Sequence, residues 1–166
     1  MHQHRNIVLI GMPGAGKSTV GVILAKTLGM QFIDTDILIQ ERTGRMLQEI
    51  LDADGPGAFK RIEEEAILSL HPRRAVIATG GSVVLSPDAM AHLKSAGVVV
   101  YLAIAYDEME KRLKNITTRG ILLLPGQSLR GMYDERVPLY ERYADITVAC
   151  SGEDLESVVE NVLEAL

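Results

Sequence analysis

The sequence predicts an α/β fold, with helices wrapped around a parallel sheet, and three observations lead there. Short apolar runs rich in β-branched residues recur along the chain, separated by segments with helical spacing. A glycine-rich stretch lies between the first apolar run and the first helical pattern. The 166 residues, 47% of them apolar, suffice for one domain with its own core.

Residues 7–10 (Ile-Val-Leu-Ile) read as a strand buried on both faces, because no polar residue interrupts them. Over residues 19–28, Val20, Ile23, Leu24 and Leu28 fall on one helical stripe, and Gly29 ends the pattern. Residues 31–34 read as a second short strand. Helical spacing resumes over 37–42, 46–51 and 58–70, broken at Gly44 and at Gly55-Pro56-Gly57. Residues 75–78 and 98–104 are the next two strands, with a helix over 88–95 between them and another over 108–114. Residues 115–127 contain two glycines and a proline with little periodicity, and read as a mobile loop. Helix over 129–143, strand over 146–149 and an amphipathic helix over 153–166 complete the chain. Strands separated by helices imply βαβ units on a parallel sheet. With no internal repeat and no low-complexity stretch, one domain over residues 1–166 is expected.

A formal net charge of −5 disfavours a general nucleic-acid binder, which needs a basic face. Cys150 stands alone, so a disulfide framework and a cysteine zinc site are both excluded, and it reads as a small buried residue closing the last strand. The longest apolar stretch, residues 98–105, is far short of the roughly 20 needed to cross a bilayer, and the first six residues carry no signal-peptide pattern. A cytoplasmic protein without membrane or nucleic-acid partners is expected.

The glycine-rich stretch, Gly11-Met12-Pro13-Gly14-Ala15-Gly16-Lys17-Ser18, satisfies the phosphate-loop pattern G-x-x-x-x-G-K-[ST] in full. A triphosphate needs a concave ring of backbone N–H groups that side chains would obstruct, so Gly11, Gly14 and Gly16 stand where a Cβ must be absent. The following helix adds free N–H groups and the positive end of its dipole. Lys17 would bridge the β and γ phosphates of ATP, and the Ser18 hydroxyl would bind Mg²⁺. The position between a buried strand and a helix is the one this mechanism requires.

Asp34 and Asp36 end the second strand, and ligands of open α/β sheets bind beyond the carboxyl ends of strands. Asp34 could hold Mg²⁺ through water, and Asp36 could orient or deprotonate an acceptor hydroxyl. Either could instead cap the helix that follows, a place where Asp is favoured.

At this point the chain resembles the shikimate kinase family. The matching stretches are the phosphate loop through Thr19, Asp34-Thr35-Asp36, Arg42-Thr43-Gly44-Arg45, Phe59-Lys60-Arg61-Ile62-Glu63-Glu64, Thr79-Gly80-Gly81-Ser82, Arg119 and Arg136-Val137-Pro138-Leu139-Tyr140, in order over almost the whole length. The resemblance implies a three-layer α/β/α fold of the P-loop NTPase type, with a five-stranded parallel sheet and a lid loop at about residues 115–127. It implies an ATP-dependent phosphotransferase acting on a hydroxyl of a small acid, with shikimate the first candidate.

By the same resemblance, Gly11, Gly14, Ala15, Gly16, Lys17, Ser18 and Thr19 bind nucleotide. Ser18 and Asp34 serve magnesium, and Arg112 packs on the adenine. Lys17, Asp36 and the lid residue Arg119 are catalytic. Asp36, Lys60, Gly80, Gly81, Ser82 and Arg136 surround the acceptor. Without the resemblance, Arg119 would read as an ordinary solvated loop charge. Three positions depart from the family pattern: Lys60 where an arginine is usual, Ser82 where a third glycine is usual, and Gly120 where a proline usually follows the lid arginine. Lysine keeps the charge but loses the planar fork of a bidentate grip. All three touch the acceptor or the lid. A kinase for another small polyol or hydroxy acid, and a nucleotide-binding regulatory protein without transfer activity, are the alternatives. A monomer is expected.

Overall fold

The computed structural model describes residues 5–114 and 121–166. Its strands are β1 (Asn6–Ile10), β2 (Gln31–Asp34), β3 (Ala75–Ala78), β4 (Gly97–Ala103) and β5 (Ile146–Ala149), joined into one sheet in the order β2-β3-β1-β4-β5. Every pairing is parallel. The helices are α1 (Lys17–Leu28), α2 (Thr35–Thr43), α3 (Leu47–Leu68), α4 (Pro87–Ala96), α5 (Tyr106–Lys114), α6 (Leu129–Tyr143) and α7 (Leu155–Ala165), with a 3₁₀ turn over Val83–Leu85. Sheet and helices form three layers, as expected for the α/β/α class.

The apolar run 7–10 lies at the centre of the sheet and is buried throughout, which is why it carries no polar alternation. Two patterns read as separate helices, 46–51 and 58–70, merge into α3, and the break between them survives as a kink: Gly55 has φ 83° and ψ 173°, outside the helical region. At the opposite end of the sheet from the phosphate loop, the Asn6 side chain joins three segments. Its Nδ2 donates to the carbonyls of Pro72 (2.7 Å) and Ala96 (3.1 Å), and its Oδ1 accepts from the Ala75 amide at 2.9 Å.

From β1 the chain crosses to β2 on one side and later returns to β4 on the other. The carboxyl end of β1 therefore opens into the crevice where such sheets bind ligands. A second, smaller core beside it joins Ile39 of α2, Leu47, Ile50 and Phe59 of α3, and Leu122. Among the described residues no helix is long and apolar enough to cross a membrane.

Candidate active site

The loop after β1 turns three times through backbone that favours glycine, with φ 150° at Gly11, 81° at Gly14 and 93° at Gly16. Gly16 caps α1 in this left-handed conformation, so no side chain stands over the free amides of the first turn. A Cβ on Gly11 would lie 2.7 Å from the Leu102 carbonyl oxygen, so the loop can close against β4 only with glycine there. The Ala15 amide donates to the Met12 carbonyl at 3.1 Å, completing the turn. Lys17 is buried, and its Nζ donates to the carbonyls of Gly11 and Met12, each at 2.7 Å. From α5, Arg112 supports the loop: Nη1 donates to the Gly14 carbonyl at 2.7 Å and Nη2 meets Glu108 at 2.5 Å.

Asp34 ends β2 and caps α2. Its Oδ1 accepts from the amides of Asp36 (2.9 Å) and Ile37 (3.3 Å), and its Oδ2 accepts from the Ser18 hydroxyl at 2.7 Å. Capping and facing the phosphate loop are thus not alternatives, because the two oxygens divide the tasks. Asp36 follows in the first turn of α2, where the helix dipole favours an acid. Ser18 and Asp34 supply a hard hydroxyl and carboxylate side by side, the donor chemistry magnesium prefers. Among the described residues no group of three or more His, Cys, Asp or Glu could hold a metal without other ligands.

Beyond β3, Gly80 and Gly81 are needed for close approach. A Cβ on Gly80 would lie 2.8 Å from Oε2 of Glu63 and 2.9 Å from Oδ1 of Asp36, and one on Gly81 would lie 2.7 Å from Cδ of Pro13. The Tyr140 hydroxyl of α6 donates to the Gly81 carbonyl and fixes the turn, and burial pushes that phenol well above its ordinary range. Arg136, one turn earlier on α6 and only 2% exposed, donates through Nη2 to the Leu122 carbonyl.

Ser82 does not offer its hydroxyl to the open cavity. It is buried and donates to Oε1 of Glu63 at 2.7 Å. Glu63 is 3% exposed, and its other oxygen, Oε2, has no hydrogen-bond partner among the described residues. Burial pushes its carboxyl up to about 7. The Ser82 hydrogen bond works against that rise, the nearby Asp36 adds to it, and the charges of Arg136 and Lys17 oppose it.

One cavity of about 290 Å³ brings together most of the residues singled out from sequence: Gly14, Gly16, Lys17, Ser18, Thr19, Asp34, Asp36, Gly80, Gly81, Ser82 and Arg136. Gly11 and Ala15 of the loop, and Arg112 that supports it, do not line this cavity. Lys60 is elsewhere, lining with Arg61 a second cavity of about 140 Å³, and Glu63 and Ser82 line both cavities and form the wall between them. Arg119 and Gly120 lie outside the described residues, as do residues 115–118 of the expected lid. Sequence reasoning alone assigns Glu63 no role. The signal was present, because Phe59, Glu63, Ala66 and Ile67 recur at helical spacing and all are buried, which puts a carboxyl group on the apolar stripe of α3.

Comparison with known proteins agrees over the whole length. The family model for shikimate kinase matches residues 13–166. The shikimate kinase of Thermodesulfovibrio yellowstonii is 40% identical over 96% of this chain and 94% of its own, and that of Vibrio cholerae is 37% identical over 100% and 97%. Among solved structures, shikimate kinase from Acinetobacter baumannii in complex with shikimate superposes with a TM-score of 0.90 at 32% identity. That match covers 99% of this chain and 93% of the other. The enzyme from Aquifex aeolicus gives 0.83 at 32% identity, over 96% and 95%. With a crevice at the strand ends, a phosphate loop and an acid-lined pocket all in one cavity, the chain belongs to the shikimate kinase family.

Proposed function

We propose that this protein transfers the terminal phosphoryl group of ATP to a hydroxyl of shikimate. One observation carries the reading: a single cavity has the phosphate loop with Lys17 and Ser18 at one end and Asp36, Gly80, Gly81 and Arg136 at the other. A donor and an acceptor held there would meet without crossing solvent, and phosphoryl transfer asks chiefly for such positioning and for charge neutralisation.

In this reading the loop amides and the Lys17 ammonium, drawn from the Gly11 and Met12 carbonyls, hold the phosphates. Thr19 extends the nucleotide site, and Arg112 lies beside the adenine. Ser18 and Asp34 would hold magnesium, which when bound neutralises negative charge on the phosphates. Asp36 orients the acceptor hydroxyl and takes its proton as the new oxygen–phosphorus bond forms and the bond to the β–γ bridging oxygen breaks, releasing ADP. Arg136 offers the acceptor carboxylate a planar two-pronged grip. Lys60 adds positive charge from beyond the Glu63–Ser82 wall. Arg119 is assigned to the transferring group on the family resemblance alone. We further infer a single-domain monomer acting in the cytoplasm, where the donor ATP is at hand.

A coupled ADP-release assay over shikimate, quinate, gluconate and homoserine tests the proposal. The expected result is saturable release with shikimate at a KM in the ordinary enzyme range of roughly 1 μM–1 mM. A higher kcat/KM with another acceptor, or release independent of any acceptor, would refute it.

A further inference from the structure

We propose that Ser82 is a positioning residue for the acceptor, acting through Glu63: it ties down one carboxyl oxygen and thereby turns the other toward Asp36. The proposal rests on the acceptor lying in the cavity described above.

Three observations support it. First, the Ser82 hydroxyl is committed to Glu63 Oε1 at 2.7 Å and is buried, so its effect on a ligand passes through that carboxyl. Second, Glu63 Oε2 has no partner among the described residues, although a buried carboxyl oxygen normally finds one. Third, Oε2 of Glu63 and Oδ1 of Asp36 flank Gly80, at 2.8 and 2.9 Å from the point where its Cβ would stand. Two carboxyl oxygens thus converge on one wall of the acceptor pocket, one on the half-buried first turn of α2 and the other on the buried stripe of α3.

The pair also sets how readily Glu63 ionises. Facing it are Asp36 from α2, Lys17 from α1, Arg136 from α6 and Ser82 from the turn after β3; the Ser82 hydroxyl favours the charged form that burial and Asp36 oppose. A glycine at position 82 would leave Oε1 without this donor and free the carboxyl to rotate. Ser82 has φ −91° and ψ −3°, which any residue adopts, so alanine there removes the hydroxyl without straining the backbone.

The test compares the native protein with Ser82→Ala and Ser82→Thr. In the full-length protein, carbon NMR of the Glu63 carboxyl should show titration at higher pH in Ser82→Ala and near the native midpoint in Ser82→Thr, which keeps the donor. In turnover, Ser82→Ala should raise KM for shikimate roughly tenfold, the scale of one lost hydrogen bond, with KM for ATP within twofold of native and partial recovery in Ser82→Thr. An unmoved Glu63 titration, an unchanged shikimate KM, or an equal rise in both KM values would overturn the proposal. Native protein that releases no ADP with shikimate would instead defeat the functional reading beneath it, and this control is read before any variant.

Discussion

Replacing Glu63 by glutamine should stabilise this protein, and by an amount that depends on pH. In the folded chain, burial holds the Glu63 carboxyl up to about 7, against an ordinary value of 4.5. Below pH 4.5 the group is protonated whether folded or unfolded, and glutamate and glutamine should be equivalent. Between 4.5 and 7 the unfolded chain releases the proton while the folded chain keeps it, so native stability falls as pH rises. Above 7 the folded chain carries a buried charge and the loss is complete. At 1.36 kcal/mol per pKa unit, the full difference is about 3 kcal/mol. Glutamine retains an oxygen to accept from Ser82 and never has to ionise. The expected gain is therefore small at pH 5 and reaches about 3 kcal/mol at pH 8.5, or roughly 6–12 °C in Tm for a chain of this size. Thermal and urea unfolding of both proteins at pH 5, 7 and 8.5 measure it. A gain of equal size at every pH, or a loss at pH 8.5, would show that Glu63 does not carry a buried charge.

Lys17→Met should fold normally yet lose roughly 10²–10³ in turnover, the usual cost of deleting one electrostatic stabiliser, and steady-state kinetics on the purified variant would show it. Asn6→Ala should cost about 3 kcal/mol, because it strands two carbonyls and an amide that the side chain joins at the base of three strands; denaturant unfolding measures this, with turnover per folded molecule unchanged.

Much of this architecture is legible in the chain because period and punctuation agree. The buried run 7–10, the strand over 31–34 and the helix over 129–143 carry unambiguous patterns and fall where they are expected. The helix starts are less legible. α2 begins at Thr35 rather than at the first apolar residue, 37, because the Asp34 side chain supplies a cap before any apolar spacing begins. The 3₁₀ turn over Val83–Leu85 is too short to impose a period. In the site, the phosphate loop is readable because its residues are consecutive. The Ser82–Glu63 contact joins positions on separate elements, and nothing local to either residue announces the other. Lys60 shows the reverse limit: a helix position next to Phe59 in sequence points elsewhere, since neighbours on a helix diverge by about 100°.

Asp34 is a joint shared by the two halves of the machine. One oxygen sets where α2 begins, and so where Asp36 stands; the other faces Ser18 at the mouth of the nucleotide loop. The distance between donor and acceptor is therefore registered through a single side chain rather than through two independently adjustable parts. Asparagine could keep the helix cap but would lose the charge on the Ser18-facing end, and glutamate, longer by one methylene, would shift one end relative to the other. A position bound by two geometries at once has little room to drift.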